Sequence, residues 1–292
     1  MNKIGVWIEA MRLRTLPVSV AGVLTAWGFC VLHGVFEAAP AFLCLIFAVL
    51  AQIASNFANE YYDYRAGRDR PGREGPRRGV TEGDITPGAM KAATFGTLAA
   101  ACCVGLSLLI WAPWWYLPAG VGIALGVMAY STGPYPLSAK GLGEVAVVIF
   151  FGLMPVNLTY YIQAHAWSAD VAMASLAIGL LGANVLIVNN YRDVEDDRAV
   201  GKKTLAVRLG ARWMPWLYGL NGLAAVALLW PVRDMFGRGL RWGLIILAFA
   251  MVWQAWDMTR LKGSRLTKVL ASASLVMLAM ALAILLGAIL KT

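Results

Sequence analysis

The chain has 292 residues, 60% of them hydrophobic and only 14% charged, with a mean hydropathy of +0.65 and a formal charge of +9. That balance excludes a water-soluble domain of this length. The excess of Lys and Arg points to a lipid bilayer as partner, and no nucleic acid is expected.

A helix crossing the hydrocarbon core needs roughly 20 mostly apolar residues. About nine such runs occur, at 17–32, 42–62, 92–111, 117–130, 143–161, 171–190, 214–230, 243–256 and 269–290. The runs are continuous rather than alternating, which excludes a barrel, and lipid demands that each segment satisfy its own backbone. The expectation is an all-α integral membrane protein, a bundle of about nine transmembrane helices forming a single domain over 1–292.

The first run lacks a small-residue cleavage site and follows Glu9, Arg12 and Arg14, so it reads as a retained helix and not a signal peptide. The second run ends in Asn56, Asn59, Glu60 and Asp63, which lie three or four residues apart and share one helical face. A Gly- and Pro-rich loop of roughly 28 residues is expected next, long enough to act as a lid. It carries Asp69, Glu74, Glu82 and Asp84 together with Arg65, Arg68, Arg70, Arg73, Arg77 and Arg78. Trp111, Trp114, Trp115 and Tyr116 read as an aromatic belt at a membrane boundary. Between the fourth and fifth runs stand Tyr135 and Lys140; after the sixth come Arg192, Asp193, Glu195, Asp196 and Asp197, then Arg198, Lys202 and Lys203. His33 and His165 lie in the opposite loops and are assigned no catalytic role. The cysteines (Cys30, Cys44, Cys102, Cys103) sit in apolar runs without metal-ligand spacing and read as packing residues with no disulfide.

Orientation follows from the basic residues, which collect in cytoplasmic loops. With the N-terminus inside, 21 of the 25 Lys and Arg fall on the cytoplasmic side, leaving Arg233, Arg238, Arg241 and Lys291 outside. The C-terminus is then expected outside, in a multi-pass protein of the inner (plasma) membrane.

Ten of the 16 acidic residues belong to the two clusters at 60–84 and 193–197. Four crossings separate them, so both face the cytoplasm. Two facing sets of carboxylates are unfavourable unless cations enter, and magnesium binds through one or two carboxylates plus phosphate oxygens. Asn59, Glu60, Asp63, Asp69, Asp193 and Asp197 are the candidate ligands. Arg77, Arg78, Arg192, Lys202 and Lys203 are candidates to grip phosphate, and Asn56 shares the ligand face.

The segments Asn-Glu-Tyr-Tyr-Asp at 59–63 with Gly67 and Asp69, and Asn-Asn-Tyr-Arg-Asp-Val-Glu-Asp-Asp at 189–197 with Gly-Lys-Lys-Thr at 201–204, resemble the aspartate-rich motifs of the UbiA-type polyprenyltransferase superfamily. Within it, the stretches 10–17, 75–79 and 133–144 are similar to the branch that prenylates 1,4-dihydroxy-2-naphthoate for menaquinone. Glu60 departs from the family's usual Asp. The resemblance implies Mg2+ as cofactor, polyprenyl diphosphate and an aromatic acceptor as partners, and catalytic roles for Asp63, Asp193, Lys140 and Arg77. It also implies substrate contacts from Arg12 and Tyr135 and attack of the acceptor ring on an allylic cation with loss of carbon dioxide. Alternatives are the same reaction on 4-hydroxybenzoate, homogentisate, a haem, a chlorophyllide or a glycerol phosphate. A cation or metabolite transporter would need polar residues across the whole bilayer, and the Asp-Gly and Ala-Arg elements of a CDP-alcohol phosphotransferase are absent.

Overall fold

The computed structural model describes residues 3–70 and 76–291; Arg73, Glu74 and Gly75 lie outside them. Every described regular element is helical. In chain order these are α1 (Lys3–Met11), α2 (Leu16–Leu32), α3 (Ala38–Arg65), α4 (Pro87–Ser107), α5 (Tyr116–Ala129), α6 (Gly143–Val147), α7 (Met154–Ala164), α8 (Ala169–Arg192), α9 (Val194–Ala199), α10 (Leu205–Leu209), α11 (Met214–Leu229), α12 (Gly237–Arg260) and α13 (Leu266–Ile289).

A helix stands at each of the nine predicted runs. By length and apolarity seven stretches are fit to cross a bilayer: Ile4–Leu32, Ala38–Arg65, Pro87–Ile110, Gly143–Ala164, Ala169–Arg192, Arg233–Arg260 and Gly263–Ile289. The other two, α5 and α11, have 14 and 16 residues, or about 21 and 24 Å of rise against a hydrocarbon core of about 30 Å. α3 runs on to Arg65 and α4 starts at Pro87, where Thr86 caps the helix by accepting from the Ala89 N–H at 3.2 Å. The two helices are therefore separated by 21 residues, 66–86, and not 28. The difference arises at both ends: α3 carries its helical bonds three residues past the expected end at 62, through Asp63, and the Thr86 cap with Pro87 starts α4 five residues before the expected 92.

α8 is the central post. Val171, Ala174, Ala177, Ile178 and Leu181 are buried along it. A six-residue π turn, Val148–Leu153, links α6 to α7 and leans on α8 so closely that a Cβ on Gly152 would come within 2.4 Å of the Gly179 Cα. Small residues let transmembrane backbones approach, and dispersion and interhelical hydrogen bonds then hold them where lipid offers little hydrophobic drive. α13 approaches α2 in the same way, at Gly28 and Ile284. Buried polar groups tie α8, α11, α12 and α13 together: Asn184 donates to the Tyr218 carbonyl at 3.0 Å, Tyr218 donates to Gln254, and Gln254 donates to Ser272 at 2.9 Å.

Cys30 and Cys44 are buried packing residues as expected, whereas Cys102 and Cys103 are exposed on α4. An apolar run carries no information about which face meets neighbours, and α4 packs mainly on α3 with a smaller contact to α5, leaving Cys102 and Cys103 uncovered. Trp115 and Tyr116 gather with Tyr161 and Trp167 in one aromatic cluster.

Candidate active site

The last two turns of α3 supply the first half of the site. Asn59, Glu60 and Asp63 are all buried there, Asp63 completely. Asn59 is the hub. Its Oδ1 accepts from Arg12 at 2.7 Å and from Arg78 at 3.1 Å, while its Nδ2 donates to Asp63 at 3.3 Å and to Ser131 at 3.2 Å. Four separate segments thus meet on one carboxamide. Arg12 reaches it from a residue in the left-handed region (φ 52°) that turns the chain between α1 and α2. Arg78 is 5% exposed and also lies 3.4 Å from Asp69.

The second half comes from the segment after α8. Asp193 ends that helix, and α9 begins at the next residue. Asp197 follows one turn later, its N–H bonded to the Asp193 carbonyl at 2.8 Å. The chain then turns at Gly201 (φ 74°), and the Lys202 N–H returns to the Asp197 carbonyl at 2.9 Å. That turn aims the Lys202 ammonium at 2.9 Å from Asp63 and 3.9 Å from Asp197. The two acidic clusters, 130 residues apart in sequence, therefore converge on one cation. Arg68 adds a second cation 3.6 Å from Asp63, and Arg70 donates to the Ala199 carbonyl at 3.0 Å, stitching the two loops together.

Not every candidate joins the centre. Arg77 pairs with Asp84 inside its own loop. Lys140 lies 5.8 Å from the half-exposed Tyr135 ring, and Lys203 is exposed and linked to the 133–144 segment only through its backbone, which bonds the Ala139 carbonyl at 2.8 Å. Asn56 donates to the Met11 carbonyl at 2.9 Å. Arg192 grips Asp193 with two bonds, at 2.6 and 3.0 Å, and also reaches Asn189 at 2.9 Å. It orders its own helix end. Glu60 accepts from the Val80 N–H at 3.0 Å, so its additional methylene carries one carboxylate oxygen to the loop backbone.

Other participants escaped the sequence reading. α1 packs Val6 and Ala10 against Phe57, Tyr61, Val80 and Ile85, roofing the first loop. Its apolar residues are too few to register beside the long runs. Glu144 is buried and accepts from Asn190 at 2.8 Å. Gln52 lies on α3 four residues before Asn56, a polar interruption of an apolar run that helical spacing alone places on the motif's face.

Two cavities meet beneath this centre. One, of about 130 Å³, is largely apolar and runs between α3, α5 and the π turn along Phe47, Ile123, Phe150 and Leu158. The other, of about 120 Å³, rises between α2, α3 and α8 to Asn56, Asn59 and Asn189. Gln52, Ser55, Tyr130 and Phe151 line both.

The donor atoms of the clusters are carboxylate and carboxamide oxygens, a hard set suited to magnesium. Among the described residues no three acidic, His or Cys side chains stand together as a ready cation site. The oxygens form two half-sets, with Asp63 and Asn59 on one side and Asp197 on the other, neutralised by Lys202, Arg68, Arg78 and Arg12. Phosphate oxygens would complete a shell between such halves, so the residues fit the ion as part of a metal–diphosphate complex.

The family model of the UbiA prenyltransferase family matches residues 21–277. The 1,4-dihydroxy-2-naphthoate octaprenyltransferase of Escherichia coli is 35% identical over 84% of this chain and 81% of its own. The one from Mycobacterium leprae is 33% identical over 95% and 94%. In fold, the chain is similar to a UbiA homologue from Archaeoglobus fulgidus solved with DMAPP and Mg2+, with a TM-score of 0.69 at 15% identity over 96% of this chain and 99% of that one.

Proposed function

The chain belongs to the UbiA prenyltransferase family, and we propose that it transfers a polyprenyl group from polyprenyl diphosphate to 1,4-dihydroxy-2-naphthoate, giving demethylmenaquinone in its reduced, hydroquinone form together with carbon dioxide and diphosphate. The observation that carries this reading is the meeting of Asp63 and Asp197 on Lys202 beside Asn59, which lines a cavity that shares its walls with the apolar one. The relatives named as naphthoate octaprenyltransferases support the acceptor.

The diphosphate sits between the two half-sets and the prenyl tail occupies the apolar cavity. Tail burial contributes little here, since lipid is as apolar as the cavity wall. Magnesium supplies charge neutralisation for the departing diphosphate. Lys202, Arg78 and Arg68 add fixed positive charge at the same place, stabilising negative charge as it develops. The allylic C–O bond breaks with its electrons going to diphosphate. The ring carbon bearing carboxylate forms the new C–C bond, and the electrons of the C–CO2 bond restore the aromatic ring as carbon dioxide leaves. Arg12, on the Asn59 hub at the mouth of the second cavity, pairs with the acceptor's carboxylate. α1 and the loop over Val80 exclude water that would trap the cation.

In this reading residues 1–292 are one domain with nine crossings in the inner membrane. The N-terminus and both acidic loops are cytoplasmic, and the C-terminus is outside. Asp63→Ala and Asp197→Ala are each expected to abolish magnesium-dependent transfer in purified, folded protein. Undiminished turnover in either variant overturns the metal assignment.

A further inference from the structure

Resting on that functional reading, we propose that Gln52 selects the acceptor by hydrogen-bonding the ring hydroxyl farthest from the carboxylate. Gln52 is only 9% exposed, yet its amide oxygen has no hydrogen-bond partner. A buried amide oxygen left unsatisfied costs about 1–3 kcal/mol, so such groups are rare and call for an explanation. The cost is sharper here because Gln52 lies in the middle of a membrane-spanning helix, where no bulk water competes for it.

Position supplies the explanation. Gln52 lines both cavities, at the junction where the tail-lined space meets the one that rises to Asn59. The prenyl tail has no group to offer an amide; a ring hydroxyl does. Gln52 is seven residues below Asn59 on the same face of α3, about 10 Å along the axis at 1.5 Å per residue. Arg12 is anchored on Asn59 at 2.7 Å. The acceptor's carboxylate and 4-hydroxyl are meta on one ring; with a hydrogen bond of about 3 Å at each end they bridge from Arg12 to the amide. Ser55 and Tyr130, on the walls shared by the two cavities, flank the ring. An acceptor that lacks this distal hydroxyl leaves the amide oxygen unpaired, so Gln52 favours the dihydroxy ring over its monohydroxy counterpart.

The test compares wild type with Gln52→Leu in purified protein, using 1,4-dihydroxy-2-naphthoate and 1-hydroxy-2-naphthoate, which lacks only the distal hydroxyl. Binding of polyprenyl diphosphate is measured in parallel. The loss of one such hydrogen bond predicts a 10- to 100-fold fall in kcat/KM for the dihydroxy acceptor in the variant. The two proteins should agree within about threefold on the monohydroxy one, with unchanged diphosphate affinity. Gln52→Glu, which keeps an acceptor oxygen, should recover part of the preference. Equal impairment on both acceptors, or none on either, overturns the role of Gln52 alone. Failure of wild-type protein to prenylate either naphthoate overturns the functional reading and this inference with it.

Discussion

Lys202 stands where two carboxylates would otherwise face each other. Asp63 is fully buried and Asp197 nearly so, and the ammonium between them is itself 9% exposed. Removing one partner of such a buried arrangement leaves an uncompensated charge and costs about 3–5 kcal/mol. Lys202→Met should therefore lower the unfolding temperature of magnesium-free protein, and added magnesium should restore much of the loss by taking over the neutralising role. Transfer should fall at least about 100-fold, because a fixed charge on the leaving diphosphate is lost. A thermal shift that magnesium leaves untouched would mean that Lys202 braces the loop without neutralising the acids. Arg77 and Arg78 show how closely residue roles depend on the fold. They are neighbours in sequence, yet Arg78 reaches Asn59 while Arg77 turns to Asp84.

At the scale of elements, α1 and the loop after α3 form a roof held by few contacts. Val6 packs on Phe57, Val80 and Ile85, and a Cβ on Gly79 would meet Val6 at 3.0 Å. The joint is tight but small, so one charge introduced there should open it. Val6→Asp is expected to raise the fraction of prenyl diphosphate hydrolysed to free prenol severalfold relative to coupled product, as water gains entry. Product partition by chromatography checks this; an unchanged ratio would show that the roof does not exclude water. Another crossing positions the second half of the site. Gly141 (φ 77°) lets the 133–144 segment pass the 202–203 turn, where a Cβ would lie 2.7 Å from the Lys203 carbonyl. The stretch 133–144 thus acts on the site largely by holding Lys202's turn, with Lys140 and Tyr135 at its edge.

For the whole molecule, the basic residues predict which face carries the site. In a cysteine-free background, Glu82→Cys should react with an impermeant maleimide only from the cytoplasmic side, and Ala166→Cys only from outside; the reverse pattern would invert the orientation. Composition and run length determined that this is a helical membrane protein, because lipid leaves the backbone no other way to satisfy its bonds. Helical spacing alone placed Asn59 and Asp63 on one face, and the motif pattern marked the chemistry. Tertiary structure decided the rest. The short span of α5 was already legible as the run 117–130, whereas the roof of α1 depends on packing between short segments, which hydropathy averages away. The meeting of Asp63 with Asp197 through Lys202, the diversion of Arg77 and the unsatisfied amide of Gln52 depend on contacts between segments dozens of residues apart, and a one-dimensional pattern carries no distance across the bundle.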